Sequence, residues 1–414
     1  MNTYQVQQLD ENLRTLTRRY NLLFGGIHIV FCGDFKQLEP VTGTPLYSQQ
    51  DADKKWANAI NCYIELRGLH RFRDDPEWGL ILLRLRRDEY NQHDIDAINE
   101  RVIISRTSTP PSASYCVYSN ADRTAINAGV FNIILKGHWK QQQQLPKHMV
   151  AITASNMTRH STSGKAHPLR PSDRSFIWEN CGDHCLTLKG QKRKGHFIDP
   201  LLKLYYNAPL MLVANDDVSN GHANGSRVLL KAVILKPAVP VERSNQTISL
   251  DGLECPLLEA SDVEHLVCVS EKDNNNIFLM QPKQMTCKVK SPIPSNLGGN
   301  IGARVQFTMK LEQIPVLVNS CTTGHKLQGQ DKENLIISVW SARKNWNYVA
   351  LSRVKTRAGL YLAQKLPYDA DFSTSNELRQ MLESLQQRAP EEVHWDVEEE
   401  RDIIERRRRD ADNN

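Results

Sequence analysis

The chain has 414 residues, enough for two or three domains with sizeable cores, and its 40% hydrophobic and 24% charged content is that of an ordinary globular protein. A net charge of +5 permits a basic groove without demanding one, and nine scattered cysteines form no dense disulfide framework and fit a reducing compartment. No apolar run approaches the ~20 residues of a membrane span, and residues 1–20 are polar without a signal-peptide pattern, so an intracellular protein is expected.

Taken in chain order, Val6, Leu9, Leu13, Leu16 and Tyr20 recur three or four apart and predict a helix with one apolar stripe. A Gly25-Gly26 turn follows, and then Ile27–Phe31, an apolar, β-branched stretch of the kind buried on both faces of a parallel sheet. Gly33 and Asp34 end it, and Pro40 bars a helix through the polar loop carrying Gln37. Such a loop sits where open α/β folds place their ligands, at the carboxyl edge of the sheet. Asp75-Pro76 reads as an N-cap and first helical position, with Trp78, Ile81, Leu82 and Leu85 on the buried face. Tyr115–Ser119 reads as a strand and Asn120 as the start of a helix. Residues 136–200, with the Gln141–Gln144 run and the basic Lys189–Lys194 segment, read as long insertions. Between Leu210 and Pro315, Ser226–Leu235, Glu264–Ser270 and Asn276–Met280 alternate with turn residues and predict a small antiparallel barrel. Val316–Cys321, Leu335–Val339 and Leu360–Leu362 read as further strands. The segment after Pro390 is acidic to Glu400, then carries Arg406–Arg409, and reads as a solvated tail.

Four segments carry chemistry. Gly33-Asp34-Phe35-Lys36-Gln37-Leu38-Glu39-Pro40 ends the first stretch, and Glu65–Phe72 contains Arg71, whose guanidinium is a fork-shaped donor for anionic oxygens. In Ser320-Cys321-Thr322-Thr323-Gly324-His325-Lys326-Leu327-Gln328-Gly329-Gln330 a strand runs into a loop and a helix start, gathering hydroxyls, an imidazole and an ammonium suited to phosphates. Asn347-Tyr348-Val349-Ala350-Leu351-Ser352-Arg353 reads by itself as a helix packed on a sheet. Together and in this order they resemble motifs III, IV, V and VI of the PIF-type DNA helicases, a RecD-like branch of the superfamily-one motors. A weaker likeness covers Ala208–Asn215 and Asn224-Gly225, which is also a good tight-turn dipeptide.

The resemblance implies a RecA-like α/β P-loop NTPase fold. Residues 1–66 would be part of a first RecA-like domain, and 67–209 with 316–366 a second. Residues 210–315 would form an inserted SH3-like β-barrel and 367–414 a charged tail. It implies ATP with Mg2+ as cofactors, single-stranded DNA as partner, a monomer, and a nuclear or mitochondrial location. Gln37 would sense the γ-phosphate, Arg71 reach the phosphates, and Arg353 act as the arginine finger, a group that supplies about 10³–10⁵ in rate in phosphoryl transfer. Gln328 and Gly329 would lie near ATP, and Thr323, His325 and Lys326 would grip DNA. Telomere maintenance, recombination, repair, organellar DNA and transposon replication all stay open as pathways.

The phosphate cradle of such motors, G-x-x-x-x-G-K-S/T, occurs nowhere in the sequence, and Ser163-Gly164-Lys165-Ala166 lacks both the upstream glycine and the terminal hydroxyl. Asp10-Glu11, on the polar side of the first helix with no strand ahead of it, does not read as a Walker B pair. The expectation is therefore the carboxyl-terminal part of a helicase, matched over residues 4–365, that hydrolyses ATP poorly alone. Its rivals are a non-catalytic single-stranded nucleic-acid-binding protein and an RNA-directed helicase. Cys181, His184, Cys185 and His196 fit no standard zinc spacing, and Trp340, Trp346 and Tyr348 read as packing residues rather than base-stacking ones.

Overall fold

The computed structural model describes residues 1–388 apart from 41–42, 49–55, 57–58, 67, 69, 104–108, 111–112, 141–148, 161–165, 170, 183–184, 189–196, 216–221, 238, 272, 274 and 292–304. Its helices, in chain order, are α1 (Thr3–Thr17), α2 (Pro76–Arg87), α3 (Gln92–Asn99), α4 (Asn120–Lys140), α5 (Pro171–Asn180), α6 (Val241–Ser244), α7 (Gly324–Leu327), α8 (Trp346–Leu351) and α9 (Asn376–Gln386). None is long and apolar enough to cross a membrane. Contacts divide the chain into two units. One comprises Met1–Glu100, Ser341–Arg357 and the chain from Leu366 onward; the other comprises Arg101–Trp340 with Ala358–Lys365.

The described part of the first unit is helical. A reciprocal capping box between Asn2 and Gln5 starts α1, as the orphan amides of a helix start require. Its apolar stripe buries Val6 with Phe24 and Trp56, against Leu385 of α9. The Gly-Gly turn is obligatory. Gly25 has φ +61°, and a Cβ there would stand 2.6 Å from the Leu13 carbonyl oxygen. Asp10, which does not read as a Walker B carboxylate, serves the fold instead. It accepts from the Phe24 amide at 2.6 Å and from Arg14 Nε at 2.8 Å. In α2 the Asp75 carboxylate caps the Trp78 amide, Pro76 opens the first turn, and Trp78, Ile81, Leu82 and Leu85 are buried.

Two sequence expectations change here. Ile27–Phe31 is extended but joins no sheet, because the described residues of this unit supply no strand to pair with it. Ile29 and Phe31 pack into the cluster around Trp56, while Val30 on the opposite side is 86% exposed. Before residue 389, what reads as tail contains α9, which buries Leu378 and Leu385. Tyr63 and Arg388 tie this stretch to residues 60–63, the Arg388 guanidinium donating to the Ile60 carbonyl at 2.7 Å. Arg406–Arg409 lie outside the described residues.

In the second unit the strands, in order, are β1 (Ser114–Val117), β2 (Val150–Thr153), β3 (Ser155–His160), β4 (Ala166–Pro168), β5 (Leu186–Leu188), β6 (Leu201–Leu204), β7 (Pro209–Leu212), β8 (Arg227–Leu235) and β9 (Thr247–Leu250). They continue as β10 (Leu253–Glu259), β11 (Val263–Ser270), β12 (Ile277–Met280), β13 (Lys283–Ser291), β14 (Val305–Gln313), β15 (Val316–Val318), β16 (Cys321–Thr323), β17 (Leu335–Ile337) and β18 (Leu360–Leu362). A parallel sheet, β16-β1-β17-β18, is the α/β element of the fold. The remaining strands form three sheets, β6-β2-β10-β9, β12-β11-β8-β7-β15 and β4-β3-β14-β13-β5, almost wholly antiparallel. The antiparallel region therefore draws in strands from residue 150 onward, not only those after 210. Leu202, Leu210, Leu230, Leu266, Phe278 and Val316 meet in one of its buried clusters.

The apolar run Val316–Cys321 is not one strand. Val316–Val318 pairs antiparallel with β7, whereas Cys321–Thr323 pairs parallel with β1. Cys181 and Cys185 are buried in an apolar cluster, and His184 and His196 lie outside the described residues. Among the described residues no group of three or more His, Cys, Asp or Glu gathers to hold a metal ion. Burial pushes the thiols of Cys268 and Cys287 up to about 12, which keeps them protonated and inert.

Candidate nucleotide and nucleic-acid interface

Three predicted site residues fall in the first unit. Gln37 closes a turn in which its amide donates to the Asp34 carbonyl and the Lys36 amide to Asp34 Oδ1. The loop is held from two directions. Asn345 Nδ2 donates to the Gln37 carbonyl at 3.1 Å. Arg86, at the end of α2, pairs with Asp34 at 2.5 Å. Burial works against the Arg86 charge, yet the Asp34 carboxylate outweighs it and a bond with Tyr348 adds to the hold, so the guanidinium pKa is raised. Lys36 is 9% exposed and bonded to Thr374 Oγ1; burial pulls its amine below the usual lysine range.

Arg71 lies in a 3-10 turn, His70–Phe72, with its guanidinium 5.8 Å from the centre of the Phe72 ring and Nη2 donating to the Arg353 carbonyl at 3.4 Å. Arg353 is 2% exposed. Its Nε donates to the Val349 carbonyl and its Nη2 to Ser352 Oγ, both at 2.8 Å, so two of its donors serve the end of α8. The segment carrying it is docked on α2. The Trp78 indole donates to the Val354 carbonyl at 3.2 Å, and Asp75 Oδ2 accepts from the Arg357 amide at 2.8 Å. Thus the structure gathers Gln37, Arg71 and Arg353 in a single unit. Trp346 is fully buried and Trp340 donates to the Gln364 carbonyl, in keeping with packing roles.

The other five predicted residues fall in the second unit. Thr323 ends β16, at the carboxyl edge of the parallel sheet beside Val117 of β1. Thr322 and Thr323 are buried, at 4% and 7% exposure, while His325 and Lys326 are half-buried on α7. Lys326 Nζ lies 3.9 Å from Met211 Sδ of β7. Because α7 spans only Gly324–Leu327, its dipole adds little and the side chains must supply any hold on an anion. Gln328 and Gly329 follow in an exposed turn, with Gly329 at φ +78°.

Sequence reasoning missed the supports of these loops: Arg86, Asn345, and two groups behind β16. One is Asn127 of α4, which bonds Val318 and Cys321; the other is Tyr205, whose hydroxyl meets Ser320 Oγ at 3.0 Å. Each acts on a partner far away in the chain, so no local spacing marks it.

A parallel sheet with a polar loop at its carboxyl edge, joined to antiparallel sheets formed between β1 and β16, is an α/β arrangement that resembles the RecA-like domains of Pif1 helicases. Residues 1–75 match the family of PIF1-like helicases. The fold agrees over most of the chain. The crystal structure of Pif1 helicase from Candida albicans superposes with a TM-score of 0.60 at 17% identity, covering 94% of this chain and 74% of that one. The Bacteroides Pif1 helicase in complex with ADP-AlF3 and single-stranded DNA gives 0.56 at 17% identity, covering 92% and 72%. Bacteroides Pif1 bound to single-stranded DNA gives the same TM-score of 0.56 at 17% identity, again covering 92% and 72%. No curated protein sequence matches the chain. The likeness to the PIF1-like helicase family thus covers residues 1–75, and over most of the chain the fold is that of Pif1 helicases of known structure.

Proposed function

We propose that this chain carries the single-stranded-DNA grip and the phosphate-sensing residues of a PIF-type, ATP-dependent, 5′-to-3′ translocating DNA helicase. The observation that carries the reading is the placement of Thr323, His325 and Lys326 where β16 leaves the carboxyl edge of the parallel sheet. Thr323 offers a hydroxyl, Lys326 a charge and His325 a ring N–H to backbone phosphates, contacts that position a strand without reading its sequence. Gln37, Arg71 and Arg353 would serve the nucleotide phosphates, and Gln328 and Gly329 would lie near the nucleotide. ATP with Mg2+ supplies the transferable phosphoryl group and its counter-charge; this chain's residues would orient it and stabilise charge on its oxygens.

Turnover by this polypeptide alone should be slight. No G-x-x-x-x-G-K-S/T cradle stands in its sequence, and two of the Arg353 donors, Nε and Nη2, are taken up by the Val349 carbonyl and Ser352 Oγ. These same two observations favour a second reading, a non-catalytic binder of single-stranded nucleic acid that keeps the grip of its helicase relatives. Phosphate release measured on the purified full chain, with and without single-stranded DNA, separates the two. Robust DNA-stimulated turnover that falls at least tenfold in Arg353→Ala would establish an autonomous motor and refute the expectation of slight turnover. Binding of DNA with no stimulated turnover supports the second reading.

A further inference from the structure

We infer that Asn127 is a positioning residue that locks the joint between the inserted antiparallel sheet and the DNA-gripping segment, so that the two act on DNA as one body; this rests on the proposed role of Thr323, His325 and Lys326. The joint is two residues long. β15 ends at Val318 in the antiparallel sheet and β16 begins at Cys321 in the parallel one, leaving only Asn319 and Ser320, each 8% exposed, to turn the chain from one ladder to the other.

Both ladders claim the joint. The Asn319 amide donates to the Pro209 carbonyl of β7 at 2.8 Å, and the Ser320 carbonyl accepts from the Tyr115 amide of β1 at 2.9 Å. Asn127, reaching in from α4, closes the turn. Its Nδ2 donates to the Val318 carbonyl at 2.9 Å and its Oδ1 accepts from the Cys321 amide at 2.8 Å. One planar carboxamide thus spans the last residue of one strand and the first of the next. Among side chains of this length, only asparagine offers a donor and an acceptor side by side without charge. Tyr205 adds the Ser320 hydroxyl contact at 3.0 Å.

The consequence is mechanical. Thr323 lies two residues beyond Cys321, and Lys326 returns to within 3.9 Å of Met211, on the same β7 strand that binds Asn319. Any shift of the joint therefore carries the DNA-contacting side chains with it, and any tilt of the β7 sheet reaches them through two residues of chain.

The test uses the full chain and Asn127→Asp, which keeps shape and acceptor, removes the donor and sets a carboxylate against the Val318 carbonyl; Tyr205→Phe is the milder companion. Three quantities are read: affinity for a fluorescent oligothymidylate, the slope of log affinity against log salt, and amide exchange across residues 318–326. For Asn127→Asp we expect about tenfold weaker binding, equivalent to about 1.4 kcal/mol, and a slope shallower by about 0.7, the loss of roughly one phosphate contact. Exchange should quicken at 318–326 while that of β8 and β11 stays unchanged. Tyr205→Phe should give about two- to threefold weaker binding in the same pattern. A folded Asn127→Asp protein with wild-type slope and wild-type exchange at 318–326 overturns the inference. If Asn127→Asp does not fold, Tyr205→Phe decides by the same criteria. If the wild-type chain shows no salt-dependent binding, the DNA reading fails, and exchange at 318–326 alone decides whether Asn127 locks the joint.

Discussion

Replacing Asp75 by alanine should loosen the segment that carries Arg353. The carboxylate does two separate jobs: Oδ1 caps the Trp78 amide at 3.0 Å and Oδ2 accepts from the Arg357 amide at 2.8 Å. Loss of an N-cap costs about 0.5–2 kcal/mol, and loss of the second bond about 0.5–1.5 kcal/mol. The sum centres near 2 kcal/mol, about thirtyfold in a local opening equilibrium. Amide exchange by mass spectrometry is the assay, since it reads opening segment by segment and needs no global two-state transition. Peptides covering α2 and residues 350–357 should exchange about thirtyfold faster in Asp75→Ala, while those of β8 and β11 keep their rates. Asp75→Asn separates the two jobs. Asparagine caps as well as aspartate but has one carbonyl oxygen, so it keeps the first bond and loses the second, at about half the cost. Equal rates in wild type and Asp75→Ala, or a larger effect from Asp75→Asn than from Asp75→Ala, would refute this docking of the segment on α2.

Three further outcomes follow from the same unit. Gly25→Ala forces a side chain into a left-handed backbone against the Leu13 carbonyl, and thermal melting should show a loss of about 1–3 kcal/mol or more. Asp94 is buried, which opposes its charge, but Arg84 at 2.5 Å and the Asn91 amide outweigh burial and hold its pKa below the usual carboxylate range. A depressed carboxylate stabilises the fold above its unfolded pKa, about 3.9, and that contribution fades as pH falls through the folded value. Asp94→Asn should therefore cost about 1–3 kcal/mol at pH 7, and the gap from wild type should narrow below about pH 4 in urea titrations; a gap constant down to pH 2 contradicts the assignment. Val30→Lys, at a site 86% exposed and outside any sheet, should change stability by less than about 0.5 kcal/mol; a loss above 2 kcal/mol would mean that Ile27–Phe31 is buried in solution.

What was legible in the sequence was local. The spacing of Val6, Leu9 and Leu13, the Asp75-Pro76 cap and the Gly25-Gly26 turn are decided by residues within one helical turn of each other, and the structure shows each of them. That a strand enters the Thr323–Lys326 turn was legible too, but its bounds were not: the strand is Cys321–Thr323, not the apolar run ending at Cys321. Failures came where pairing decides. Ile27–Phe31 has strand composition, but a strand in a sheet needs neighbours, and composition does not say whether they are there. Val316–Cys321 looks continuous, yet its two halves answer to different partners, β7 and β1. Asn127 gave no signal because the carbonyl it holds lies 191 residues away. The helix Asn376–Gln386 was obscured by the charged stretch beyond it, although Ser375, Leu378 and Leu385 carry the cap and apolar face of an ordinary amphipathic helix.

The DNA grip is tested by binding of a labelled single-stranded oligonucleotide to the full chain, followed by fluorescence anisotropy over about 50–300 mM salt with wild type and Lys326→Ala side by side. Submicromolar to micromolar binding is expected at low salt, weakening steeply as salt rises. The log–log slope should be about 0.7 shallower for Lys326→Ala, the share of one phosphate contact on a single strand. Salt-independent binding, or a Lys326→Ala protein that follows the wild-type curve throughout, would contradict the placement of the grip on β16 and α7.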